Sequence, residues 1–116
     1  MFLKLAHTKL DIFQATKSLT LECYKASKLL PLDERFAMIQ QIRRAALSVH
    51  LNVAEGCSRK SGAERKRYYE IARGSVIEID TAFDIAVHLQ YCSEENLVEL
   101  GEKIISAYKQ LSGLIG

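Results

Sequence analysis

The sequence predicts an all-α protein, an up-down-up-down antiparallel four-helix bundle, and three observations lead there. Apolar residues recur in alternating steps of three and four in two long segments. One segment carries Tyr68, Ala72, Ser75, Ile79, Ala82, Ala86 and Leu89, and the other Leu97, Leu100, Ile104, Ala107, Leu111 and Leu114. That spacing is the heptad seam of packed helices. Turn-forming residues are sparse and stand at the intervals of helical hairpins. No alternating run of β-branched residues bounded by turn signals reads as a strand.

The first helix is expected at about 9–29, with Phe13, Leu19, Cys23, Ala26 and Leu30 as a less regular wall of the core. Pro31, the only proline, ends it, and Asp33 and Glu34 suit the acidic first turn of a second helix at 33–56. That helix turns Ile39, Ile42, Ala46, Val49 and Val53 to one face. A break at Gly56–Gly62 follows, where Ser61 and Glu64 have the spacing of a reciprocal capping box, opening a third helix at 62–90. Around Tyr91–Glu95 Ser93 is the cap for a fourth helix at 94–114.

With 116 residues, 48% apolar and 26% charged, the chain has enough material for one core, and a single domain over 1–116 is expected. Its longest apolar runs fall far below the roughly 20 residues needed to cross a bilayer, and Met1–His7 lacks the length and charge order of a signal peptide. A cytoplasmic protein without membrane association is expected. Cys23, Cys57 and Cys92 are unevenly spaced, which fits neither a disulfide framework nor a zinc site, so they read as reduced, mostly buried residues.

Charge is strongly segregated. From Arg43 to Arg73 eight basic residues face three acids, a balance of +5, whereas Val76 to Glu102 holds seven acids and no Lys or Arg, a balance of −7. In an up-down-up-down bundle the second interhelical turn lies at the same end as both termini. Lys4, Lys9, Arg59, Lys60, Arg65, Lys66, Arg67 and Lys109 would gather there, and Asp33, Glu34, Asp84, Glu94 and Glu95 at the other end. A cationic end can hold RNA or DNA by phosphate contacts, or attract the acidic end of another copy; the plain alternative is a set of solvated faces. Arg59, Lys60, Arg65, Lys66 and Arg67 are the nucleic-acid-binding candidates. Tyr68 falls on the apolar seam, which leaves Tyr69 as the aromatic expected to stack on an unpaired base.

Opposite its apolar face the second helix carries Gln41, Arg44, Ser48, Asn52, Glu55 and Arg59 in one polar line. Arg44 and Glu55 stand eleven residues apart, about three turns, so they cannot pair with each other. A subunit interface, hydrogen bonding to the third or fourth helix, and a nucleic-acid surface each account for the line, and Gly56 permits close backbone approach. Asp80, Asp84 and His88 recur every four residues, but the paired Glu-x-x-His motifs of a di-metal bundle are missing. No phosphate loop and no activated nucleophile is recognisable. Neither a catalytic residue nor a metal ligand is assigned, and no cofactor is expected.

Gln41–Gly56, followed by Arg59-Lys60-Ser61 and Arg67–Ser75, resembles the four-helix-bundle proteins encoded in intervening sequences of bacterial 23S ribosomal RNA genes. The likeness runs from Leu10–Gln14 to the fourth-helix seam. It implies a homo-oligomeric ring of five subunits, a homopentamer, with no established catalytic activity. It also implies kinship with accessory partners of the reverse transcriptases of diversity-generating retroelements, which bind nucleic acid through a basic surface; a nucleic-acid enzyme is thus one implied partner. Arg43, Arg44, Ser48, Asn52, Glu55 and Gly56 match the family motif and become candidates for the subunit interface. His50 stands where many members carry proline, so the second helix is expected to run straighter. Two functions remain open on these residues: a nucleic-acid-binding ring, or an oligomeric protein-interaction scaffold that binds no nucleic acid.

Overall fold

The computed structural model describes residues 1–116. Four helices account for the fold: α1 (Asp11–Ser27), α2 (Met38–Ser58), α3 (Gly62–His88) and α4 (Val98–Ile115). Each packs on two neighbours, α1 on α2 and α4, α3 on α2 and α4, which closes an antiparallel four-helix bundle with its core along the axis. The α2–α3 packing is the most extensive. One end is also tied: the Tyr91 hydroxyl, in the α3–α4 turn, donates to Glu34 in the α1–α2 turn at 2.8 Å.

Several helix ends differ from those expected. Leu32–Glu34 forms a separate 3-10 turn, and α2 begins only at Met38. Glu34 caps α2 from outside, its carboxylate accepting from the Met38 N–H at 3.4 Å. Ser61 accepts from the Glu64 N–H at 3.3 Å, but Glu64 does not return the bond, so only half of the capping box forms at α3. The complete box is at Ser93 and Asn96, where each side chain accepts from the other's backbone N–H.

α3 closes with a C-terminal reversal. The Gln90 N–H donates to the Val87 carbonyl at 2.9 Å, and the Tyr91 N–H to that of Ala86 at 3.0 Å. Gln90 takes φ 64°, the left-handed position that glycine fills without steric penalty. Gln90→Gly is therefore expected to raise unfolding stability by about 1 kcal/mol, read from a urea titration.

Leu19, Cys23, Ile42, Ala46, Val49, Val53, Ile79, Leu100 and Leu111 are almost completely buried. The expected α2 stripe is wholly inside. α3 uses a different register: Tyr69, Ala72, Val76, Ile79, Phe83 and Ala86 are buried, while Tyr68 is half-buried and Leu89 exposed. Both registers share Ala72, Ser75, Ile79 and Ala86. The observed one also buries Val76 and Phe83, which removes more apolar area from water than the expected Ala82 and Leu89.

Burial also fixes the chemistry of His50. It packs against Phe13 with ring centroids 4.5 Å apart, and its Nδ1 lies 2.9 Å from the Thr16 hydroxyl. α2 runs unbroken through this position. Burial, then the nearby Lys17 charge, lowers the His50 pKa below its ordinary 6.5. The unfolded chain then binds this proton more readily, so stability is fully present above about pH 6.5 and falls as the pH drops toward the native pKa. Melting curves at pH 7.5 and 5 are expected to show a fall, and His50→Gln to make it smaller.

Candidate nucleic-acid interface at the α2–α3 turn

The α2–α3 turn is held rigidly by two of its own arginines. Arg59, just beyond α2, donates to Glu55 at 2.9 Å and to the Tyr68 hydroxyl at 3.0 Å. Its guanidinium lies 5.0 Å from the Tyr68 ring centroid, and its Nε is shielded from solvent without a partner. Arg65 donates to the backbone carbonyls of Arg59 at 2.9 Å and Lys60 at 2.7 Å, so it braces the turn that follows α2.

Arg59 and Arg65 are therefore engaged within the chain, whereas Lys60, Lys66 and Arg67 are exposed and make no ion pair. The cationic candidates divide into a pair that shapes the turn and a trio open to an anion.

Tyr69 does not fill the stacking role expected of it. Only 6% of it is exposed, its ring lies against Gly56, and its hydroxyl meets the Cys57 sulfur at 3.6 Å. Burial, reinforced by that contact, pushes its pKa up to about 12. The physical reason is register: Tyr69 shares the inward face with Ala72 and Val76, and Tyr68 turns outward to hold Arg59.

The polar line of α2 is largely satisfied within the chain. Asn52 donates to the Ser48 carbonyl at 2.8 Å and its hydroxyl at 3.1 Å, and Ser75 of α3 donates to the same hydroxyl at 2.9 Å. Glu55 finds its partner four residues on, in Arg59. Arg43 donates to Ser27 of α1 at 3.0 Å and lies over the Tyr24 ring. Arg44 is exposed and unpaired, the one ionic member of the motif left free. Ser75 is buried, so Ser75→Ala is expected to cost about 1 kcal/mol in a denaturant titration.

Gly56 is required by close approach to α3. A Cβ there would lie 2.8 Å from Tyr69 Cε1 and 3.1 Å from Tyr68 Cβ. Sequence reasoning missed three contributors: Tyr68 as the arginine platform, Arg65 as a brace of the turn, and Ser75 as the partner of Ser48. Their pairings cross the turn or join two helices, and no local pattern marks them. Asp84 and His88, the centre of the weighed metal motif, pair with each other on an exposed face at 3.6 Å. No helix is long and apolar enough to cross a membrane.

A comparison with curated proteins gives no match. The family described as "23S rRNA-intervening sequence protein" matches over residues 8–113, which takes in α1 to α3, all of α4 but its last two residues, the Ser48–Asn52–Ser75 network and the α2–α3 turn. With the match covering nearly the whole chain, this four-helix bundle belongs to the 23S rRNA-intervening sequence protein family.

Proposed function

We propose that this protein is a non-catalytic, ring-forming module that binds structured nucleic acid through the α2–α3 turn. The observation that carries this reading is the trio Lys60, Lys66 and Arg67, uncompensated on a turn that Arg59 and Arg65 make rigid. Such a surface binds phosphate without paying to order its backbone. With Tyr69 buried, its contacts are to phosphate and backbone shape rather than to stacked bases.

Assembly into a homopentamer would repeat this surface around a ring and multiply its contacts through avidity. Arg44, exposed and unpaired, is the member of the α2 motif best suited to meet a neighbouring copy. The setting is the cytoplasm, with RNA, DNA or an enzyme acting on them as the partner.

The test is titration of nucleic-acid-free protein into labelled structured RNA and duplex DNA at about 50 and 200 mM salt, with mass measured in parallel by light scattering. Three phosphate contacts predict an affinity about 40-fold weaker at the higher salt. A protein that binds neither nucleic acid at 50 mM salt, while remaining assembled, overturns the reading and leaves an oligomeric protein-interaction scaffold.

A further inference from the structure

The charges of α1 and α2 are sorted by face. The only acids on these two helices are Asp11, Glu22 and Glu55. Asp11 and Glu22 line grooves shared with α4, and Glu55 is paired with Arg59 on the α3 side. Lys25 also turns to α4, where it meets Glu99 at 3.9 Å. The face that α1 and α2 present together therefore holds Lys17, Lys28 and Arg43, with Arg44 on its border and no carboxylate from either helix.

Two of these cations are held by aromatic rings instead of by acids. The Lys17 ammonium lies 5.7 Å from the Phe13 ring centroid, and the Arg43 guanidinium 5.1 Å from that of Tyr24. Arg43 is oriented further by the donation from its Nε to the buried Ser27 hydroxyl at 3.0 Å, which leaves the terminal nitrogens of its fork without an acceptor. A ring attracts a cation without cancelling its charge, so both side chains are positioned and still able to bind an anion.

Exposed leucines stand between the cations. Leu21 follows Lys17 by four residues and precedes Tyr24 by three, and Leu47 follows Arg43 by four, which sets both on the same face. They are 65% and 42% exposed. A chain of phosphates would use the cations and leave both leucines in water. Along α1, Lys17, Leu21, the Tyr24–Arg43 pair and Lys28 succeed one another in steps of four, three and four residues, over about 16 Å. Those are the steps of a helix surface. A third helix laid in the furrow between α1 and α2 matches them with acids at i, i+7 and i+11 and an apolar residue at i+4.

We propose that the α1–α2 face docks an acidic amphipathic helix of a partner protein, whose carboxylates meet Lys17, Arg43 and Lys28 and whose apolar side chain covers Leu21 and Leu47. The site shares no residue with the α2–α3 turn and does not depend on the nucleic-acid reading of that turn.

The probe is a synthetic, end-capped helix of about 18 residues, long enough to hold its own turns. It is built of alanine and glutamine, apart from glutamates at its fourth, eleventh and fifteenth positions and leucines at its seventh and eighth. Titrated into the full chain at low salt, it is expected to bind with a Kd below about 1 mM and to shift the methyl signals of Leu21 and Leu47. Lys17→Glu/Lys28→Glu, at two exposed and unpaired positions, is expected to keep the fold and weaken this binding at least about tenfold. A probe with lysine at the fourth and fifteenth positions should then bind the double variant and not the parent. Absence of binding at about 1 mM probe overturns the proposal. So does equal binding by a probe with glutamine in place of its leucines, since a surface that reads charge alone is one for a polyanion. A change in oligomeric mass in the double variant, read by light scattering, also overturns it and places this face between copies of the chain.

Discussion

Replacing Lys60, Lys66 and Arg67 together by glutamate is expected to weaken nucleic-acid binding by more than a hundredfold at about 50 mM salt, without changing the melting temperature or the oligomeric mass. Each side chain is exposed and unpaired, so its replacement removes no folded-state ion pair. Binding loses three phosphate contacts and gains three like-charge repulsions, and the salt dependence that remains should be close to flat. Arg59→Ala and Arg65→Ala are the informative contrast. Their guanidiniums are occupied by Glu55, Tyr68 and the carbonyls of Arg59 and Lys60, so these changes are expected to loosen the turn and lower the melting temperature. Unaltered affinity in the triple glutamate variant would rule out the α2–α3 turn as the binding surface.

Substitution at Gly56 is expected to be the most destabilising single change at the turn. A Cβ at 2.8 Å from an aromatic carbon, on a ring that is itself buried, has no free side-chain end to push aside. Alanine gains about 1 kcal/mol of helix propensity over glycine, but over-packing of 1–3 kcal/mol or more opposes it. Gly56→Ala is expected to lose about 1 kcal/mol net, and Gly56→Leu about 3 kcal/mol, in urea titrations. Because α2 must move away from Tyr68 and Tyr69, the Arg59–Tyr68 contact should open as well. Faster exchange of the Arg59 guanidinium protons would report it. A Gly56→Ala protein as stable as the parent would mean that α2 and α3 separate at little cost.

The architecture was legible because helix formation and helix packing leave periodic signals in the chain. All four helices were foreseen, and the α2 stripe Ile39, Ile42, Ala46, Val49 and Val53 lies inside as expected. The α3 register was not, because the seams Tyr68–Leu89 and Tyr69–Ala86 share Ala72, Ser75, Ile79 and Ala86 and differ only at the positions between and beyond them. Only the partner helices decide between them, by the volume they leave for Val76 and Phe83. That choice of register governs the candidate site. It buries Tyr69, the ring expected to stack on a base, and presents Tyr68, the ring expected in the core.

The sequence by itself determined the number of helices, the segregation of charge, the family motif and the cationic character of the second turn, since these depend on composition and on near neighbours along the chain. Tertiary structure alone decided which of those charges are free. Arg59 and Arg65 read like Lys60, Lys66 and Arg67 in one dimension. The fold then turns the first two onto Glu55, Tyr68 and two backbone carbonyls and leaves the other three in water. The physical reason is that a charge is spent or spared by the groups within about 3 Å of it. At a turn between two helices most of those groups come from residues five to nine places away, where no periodicity points.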